Sequence, residues 1–350
     1  MATLHSSATA QPPYRYNQGE VITALPLWLN GERRLLTLAQ RVFENAAVHT
    51  RYGCRPLFDL AQPLSVTETT LLYRQYACQL GEAVVRESLE RANIVPKEVA
   101  LIITTSCTGF MIPSLDAYLA NTLSFSPHVK RLPVTELGCA AGGVALARAF
   151  DYLRAFPHHT VLVVAVELPS LTFQFQDLSP ANVVSSALFG DGAAAIVLSG
   201  EPLSGRPRIL AAESTLFPQT TEVMGFDLRD SGFHIVLSAE IPELVCAEVP
   251  QLVKRFLGDH DVSVDDISHF LLHPGGRRVL EGLVECLGIT PELATVSKAI
   301  LRDYGNLSSA SVLYILDRFL TTEQTQTGDL GLLLAFGPGF SAESLLLRWD

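Results

Sequence analysis

The sequence predicts an α/β protein made of two related halves packed in layers. Three observations point there. Strand-length apolar runs alternate with helix-forming stretches through both halves of the 350-residue chain. Landmarks of the first half recur in the second at nearly the same spacing. The composition, 48% hydrophobic and 17% charged with no linker or low-complexity tract, describes a compact chain able to bury a large core.

In the first half, the apolar run Val99 to Thr105 reads as a buried strand leading to Cys107. A helix follows over about Pro113 to Leu123, then a glycine turn at Cys139 with a small-residue helix to about Leu153, then strands Thr160 to Glu167 and Ala193 to Leu198. In the second half, strand Ile267 to Leu272 leads to His273. After it come a helix over Arg277 to Leu287, the turn Tyr304-Gly305-Asn306 with its helix over Ser308 to Phe319, and strands Leu330 to Phe336 and Ser344 to Trp349. Cys107 and Cys139 are 32 residues apart, His273 and Asn306 33; Cys139 to Glu167 spans 28 and Asn306 to Ala335 spans 29. The halves are expected to divide the chain at 1–202 and 203–350. A pseudo-twofold axis relating them makes Cys139 and Asn306 equivalent helix starts, meeting at one central site with His273 entering from a strand end.

Composition also excludes function classes. The longest apolar stretches, such as Val161 to Val166, are strand-sized, far short of the roughly 20 residues a membrane helix needs. The N-terminus has no basic region followed by an apolar core, so a cytoplasmic location is expected. The six cysteines (54, 78, 107, 139, 246 and 286) are scattered without any Cys-x-x-Cys pair, which suggests reduced thiols and no zinc site. A formal charge of −11 disfavours nucleic acid as a partner. The arginines at 33, 34, 41, 51 and 55 read mostly as solvated surface charge.

Cys139 lies in Leu-Gly-Cys-Ala-Ala-Gly-Gly-Val-Ala (137–145), where a strand-like segment ends and a helix begins. A thiol there feels the positive end of the helix dipole, which favours thiolate. A buried cysteine that merely packs has the same surroundings. Likewise His273 reads as a turn histidine and Asn306 as a helix cap when each is taken alone. Together the three suit a protease, an amidase or an acyl-transferring condensing enzyme. A papain-like hydrolase sets its cysteine in a cleft between dissimilar domains, a division this chain lacks.

Seven strings carry a resemblance over nearly the whole chain: TSCTGFMIPSLD (105–116), LGCAAGG (137–143), ALFGDGAAA (187–195), GFH (232–234), HPGGRRVLEGL (273–283), YGNLSSAS (304–311) and AFGPGFSAE (335–343). In order and spacing the chain resembles the condensing enzymes of the thiolase superfamily, specifically type III polyketide synthases of the chalcone synthase-like, bacterial type. The resemblance implies a layered αβαβα fold and a catalytic set of Cys139, His273 and Asn306. Cys139 accepts an acyl group from a thioester. His273 pairs with the thiol to keep it ionised, and with Asn306 holds the thioester carbonyl of malonyl-CoA while CO₂ leaves and an enolate forms. No metal or redox cofactor is implied; the substrates are an acyl-CoA starter and malonyl-CoA, and the products pyrones, resorcinols or other phenolics.

The resemblance assigns Phe189 and Phe233 as aromatic gatekeepers, each of which alone reads as a core phenylalanine. It assigns Cys107, Thr172, Ser185, Gly225 and Ser308 to the cavity, and Ile112 to a position that crosses into a neighbouring subunit's cavity, implying a homodimer. His269 is expected to be structural. Two departures stand out: Ala335 begins the loop whose usual first residue is glycine, and Asn45 replaces a usual lysine of the coenzyme A tunnel, leaving Arg41 there with Arg277 and Arg278 to meet coenzyme A or an acyl carrier protein. Two alternatives remain open at this point: a single-round ketosynthase fed by a carrier protein, and a catalytically silent partner subunit.

Overall fold

The computed structural model describes residues 2–29 and 33–350. Along the first half run β1 (Ala2–Ala10), β2 (Tyr14–Asn17), α1 (Gln18–Trp28), α2 (Arg33–Asn45), β3 (Thr50–Gly53), α3 (Val66–Ala92), β4 (Val99–Thr105), α4 (Leu115–Thr122), β5 (Lys130–Val134), α5 (Ala141–Ala155), β6 (Thr160–Glu167), α6 (Pro180–Leu188) and β7 (Gly192–Ser199). The second half holds β8 (Pro207–Leu216), β9 (Met224–Arg229), β10 (Gly232–Leu237), α7 (Ile241–Gly258), β11 (Ile267–Leu272), α8 (Arg277–Cys286), α9 (Thr295–Tyr304), α10 (Ser311–Thr321), β12 (Leu330–Gly337) and β13 (Ser341–Trp349).

Nine strands form one sheet in the order β11-β12-β13-β8-β1-β7-β6-β4-β5. Apart from the extra edge strand β5, this order is palindromic about the β8–β1 junction. The pairing repeats as well: β4 is parallel to β6 and β6 antiparallel to β7, just as β11 is parallel to β12 and β12 antiparallel to β13. Within the sheet, among the described residues, the ladder pairs Ala2↔Ile209 and Thr3↔Arg208 join the halves.

Side-chain alternation along the strands turns this into five layers. On β6, Val161, Val163 and Ala165 face a central core with α5 and α10, while Leu162, Val164 and Val166 face α3 and α4. On β12, Leu333 and Ala335 face the same central helices, while Leu332, Leu334 and Phe336 face α7 and α8. Strands buried on both faces need the near-continuous apolar runs seen in the sequence, each large side chain contributing about 1.5–3 kcal/mol. This is the αβαβα arrangement the resemblance implies. No helix among the described residues is long and apolar enough to cross a membrane.

The central helices approach so closely that only glycine fits at 142. A Cβ there would lie 2.2 Å from the carbonyl oxygen of Ser309, at the start of α10. The two helix starts also share one backbone shape: Gly138 and Ser308 both have φ +49, and each opens a 3₁₀ turn, Gly138–Ala140 or Ser308–Ala310, that runs into its helix. Cys139 therefore corresponds to Ser309, and Asn306 lies three positions earlier. This corrects the equivalence of Cys139 with Asn306 expected from spacing. The ladders correct a second pairing, because Thr105 faces Ala165 and the residue after Leu272, which faces Leu334, is His273. His273 is thus the counterpart of Thr105 rather than of Cys107. Spacing misled by two or three residues because it counts loop residues, whereas strand register and φ define equivalence.

Candidate active site

Cys139 sits in the 3₁₀ turn ahead of α5, only 6% exposed. Its thiol reaches Ser308 Oγ at 3.5 Å, and the same hydroxyl lies 3.3 Å from Cys107 Sγ. Asn306 Oδ1 accepts from Ser308 N at 2.8 Å and from Ser311 Oγ at 3.3 Å. With its oxygen so occupied, Asn306 turns its amide to the Cys139 thiol as a hydrogen-bonding partner. The sequence thus brings Cys139, Asn306, Ser308 and Cys107 to one point.

His273 follows β11, its N–H donating to Leu334 O at 2.8 Å and its carbonyl accepting from Gly275 N at 2.9 Å. The ring is buried, and Nδ1 has no hydrogen-bond partner among the described residues. The pseudo-twofold axis gives its setting: Thr105, its counterpart, meets Ser309, the counterpart of Cys139, at 2.9 Å between hydroxyl oxygens.

Burial dominates the electrostatics. It pushes the Cys139 thiol up to about 12, against hydrogen bonds from Ser308 and Asn306 that favour thiolate and with the Glu167 carboxyl adding to the rise. It pushes the His273 imidazole down to about 3. The expectation that the helix start would hold an ionised thiol is reversed in this structure. A helix terminus is worth at most about 2 kcal/mol to a charge, less than the cost of removing a thiolate from water into an apolar pocket. Across the neutral range both groups are therefore uncharged, the thiol protonated and the imidazole neutral.

Above Cys139 opens a cavity of about 480 Å³. Its wall includes Cys107, Thr172, Ser185, Phe189, Gly225, Phe233 and Ser308, along with Trp28, Phe43, Phe110, Phe173 and Phe226. Neither His273 nor Asn306 is among the residues lining it; Asn306 adjoins it through the lining residues Cys139 and Ser308. Ile112 is 81% exposed in the loop ahead of α4. Arg41 is exposed on α2, while Arg277 pairs with Glu281 at 2.9 Å and Arg278 with Glu243 at 3.1 Å, all three outside the cavity lining. His269 bonds Asp329 at 2.8 Å, away from the cavity.

Two residues of the site escaped the sequence reading. Arg51, read as surface charge, is 5% exposed and lines the cavity; its guanidinium donates to the carbonyls of Ser186 and Phe189 and to Gln18, capping the C-terminal end of α6. No pattern in the sequence marks it as buried. Glu167 is fully buried and accepts from Ser309 Oγ, Thr108 Oγ1 (2.8 Å) and Cys107 N (3.1 Å). The signal for Glu167 was available: a carboxylate closing a strand as apolar as Val-Leu-Val-Val-Ala-Val must be held by donors.

Comparisons with known proteins bear on the chain as a whole. The family described as chalcone and stilbene synthases matches through its N-terminal domain over residues 63–202 and its C-terminal domain over 208–349. The chain is 38% identical to a 1,3,6,8-tetrahydroxynaphthalene synthase of Streptomyces peucetius subsp. caesius, covering 97% of this chain and 91% of that one. It is 32% identical to a phloroglucinol synthase of Pseudomonas fluorescens, covering 100% and 99%. The crystal structure of the 1,3,6,8-tetrahydroxynaphthalene synthase of Streptomyces coelicolor A3(2), a bacterial type III polyketide synthase, superimposes with a TM-score of 0.95 at 34% identity over 99% of each chain.

Proposed function

Because the chain belongs to the chalcone and stilbene synthase family of type III polyketide synthases, we propose that it condenses malonyl units onto an acyl group carried by Cys139 and cyclises the product. One observation carries the reading: Cys139 lies at the foot of an apolar cavity, bonded by the Asn306 amide and backed by a buried, neutral His273.

In this reading the Cys139 sulfur attacks the starter thioester as its proton passes to His273. The thiol need not ionise beforehand, because proton and acyl transfer share one step. Coenzyme A leaves as the thiol after taking that proton, and His273 returns to the neutral form. A malonyl thioester then places its carbonyl against the Asn306 amide and the His273 N–H. As the carbon–carboxylate bond breaks, CO₂ departs and its electron pair becomes an enolate, whose oxygen those neutral donors stabilise. The enolate carbon attacks the acyl-enzyme carbonyl, forming the new carbon–carbon bond and expelling Cys139. Phe189 and Phe233 line the cavity with apolar rings that exclude water and favour loss of the charged carboxylate.

The reading extends to partners. Coenzyme A phosphates would meet Arg41, Arg277 and Arg278, exposed and cationic. A homodimer would cover the apolar loop where Phe110 is 59% and Ile112 81% exposed, beside the edge strand β5. A cytoplasmic location suits six unpaired cysteines. The relatives' names, tetrahydroxynaphthalene and phloroglucinol synthases, favour an aromatic polyol as product. A single-round ketosynthase fed by a carrier protein gains no support from the family to which the chain belongs. The test is product analysis with labelled malonyl-CoA and a panel of acyl-CoA starters: cyclised products built from several malonyl units support the reading, and single-condensation products alone overturn it.

A further inference from the structure

The hairpin of β9 and β10 forms one side of the cavity wall. Its strands form a two-stranded sheet separate from the nine-stranded one; all of β10 is only half buried, and Leu228 near the tip is 71% exposed. Such a ribbon is marginal by itself. Yet it supplies Gly225, Phe226, Phe233 and Ile235 to the cavity, with Phe226 and Phe233 edge to face at 5.6 Å.

A polar fastening holds it to the segment 172–179 ahead of α6. His234 spans the gap: Nε2 lies 2.7 Å from Ser231 Oγ in the hairpin's own turn, and Nδ1 lies 3.4 Å from Asp177 Oδ2 on the facing segment. A neutral imidazole satisfies both contacts, accepting from the serine and donating to the carboxylate. Asp177 is itself fixed, accepting from Ser179 N at 2.8 Å. From the same segment the Gln174 amide donates to the carbonyls of Ser231 at 3.3 Å and Phe233 at 3.1 Å. The remaining ion pair at the tip, Arg229 with Asp227 at 2.9 Å, lies within β9 and fastens nothing across the gap.

Resting on the polyketide synthase reading, we propose that Gln174, Asp177 and His234 are positioning residues that latch the hairpin over the cavity and thereby limit how far the chain is extended. A growing acyl chain presses on the Phe226–Phe233 wall, and the latch sets how far that wall yields. Freed from the latch, the wall gives way and admits further extension before release. None of the three residues touches the reacting atoms, so acyl loading at Cys139 is untouched.

The test compares wild type, His234→Ala and His234→Gln by hydrogen exchange and by product length from labelled malonyl-CoA. His234→Ala is expected to speed exchange across residues 224–237 and to raise the share of longer products about fivefold, the effect of roughly one lost hydrogen bond. Loading of Cys139 should stay within about twofold. His234→Gln, whose amide offers both an acceptor and a donor, should restore both readouts. Unchanged exchange overturns the latch, and faster exchange with unchanged product lengths overturns its control of extension. If the wild type makes no polyketide from any starter, the functional reading and the extension claim fall together, while exchange still decides the latch.

Discussion

Phe189 and Asn306 are joined through the backbone by a parallel β-bridge: Asn306 N donates to Leu188 O at 2.9 Å, and Gly190 N donates to Asn306 O at 3.0 Å. The aromatic wall of the cavity and the amide facing Cys139 thus share one backbone seat, held on the other side by Arg51 on the Phe189 carbonyl. A donor aimed at a developing oxyanion must not drift, and this bridge fixes it.

Asn306 can therefore be tested for two roles with two variants. Asn306→Ala removes the acceptor for Ser308 N and Ser311 Oγ and should lower stability by about 1–3 kcal/mol. Asn306→Asp keeps that acceptor but faces the enolate with a carboxylate. Both should cut malonyl-CoA decarboxylation about 100-fold or more, whereas thermal unfolding should separate them, with the aspartate variant close to wild type. Normal decarboxylation by Asn306→Asp would remove the amide from the chemistry.

The buried thiol of Cys139 has a pH signature. With the thiol pushed up to about 12 and the imidazole of His273 down to about 3, both groups are uncharged across the neutral range, and the small thiolate fraction grows about tenfold per pH unit. Alkylation of Cys139 by iodoacetamide, followed by peptide mapping, should therefore climb about tenfold per pH unit between roughly pH 6 and 9. His273→Gln should leave that slope unchanged while slowing acyl loading from a coenzyme A thioester, the step in which the imidazole takes the proton. An alkylation rate flat between about pH 6 and 9 in wild type would show a thiolate already formed at neutral pH and contradict this.

Glu343 offers a stability test apart from catalysis. It is 3% exposed on β13, and burial raises its carboxyl from 4.5 to about 7 although Ser214 donates to it at 2.7 Å. The folded state then binds more protons than the unfolded state between about pH 4.5 and 7, so stability falls as pH rises through that window. Glu343→Gln should match wild type near about pH 5 and exceed it by up to about 3 kcal/mol near pH 8. A gap independent of pH in denaturant melts would contradict this.

Gly142 tests the packing of the two central helices. A methyl group there meets the Ser309 carbonyl at 2.2 Å and the Val312 side chain at 2.9 Å, and backbone cannot move aside cheaply. Gly142→Ala should destabilise by about 2 kcal/mol or more despite the better helix propensity of alanine. A neutral or stabilising effect in thermal unfolding would mean the helices are not in contact there.

Strand positions were legible because burial on both faces leaves unbroken apolar runs: β4 and β6 follow Val99 to Thr105 and Thr160 to Glu167 residue for residue. β1 was not legible. Its Ala-Thr-Leu-His-Ser-Ser-Ala-Thr-Ala mixes polar and apolar residues without a period, and it is buried because β7 pairs along its length while α3 and α10 cover its two faces. β8, half exposed, gave an equally weak pattern. The family resemblance assigned Cys107, Thr172, Ser185, Phe189, Gly225, Phe233 and Ser308 to the cavity or its gate, and all seven line one cavity wall. The ionisation state of Cys139 escaped because a helix start is visible in sequence while desolvation is a property of everything packed around it. Arg51 escaped likewise, since its partners are main-chain carbonyls 135 and 138 residues away.

Intact-protein and peptide mass spectrometry after brief exposure to an acyl-CoA starter tests the central claim most directly. The expected result is one acyl group on the peptide carrying Cys139, its disappearance when malonyl-CoA is added as extended products form, and no adduct or product with Cys139→Ala. An acyl group found on Cys107 instead, or products formed at wild-type rate by Cys139→Ala, would contradict it.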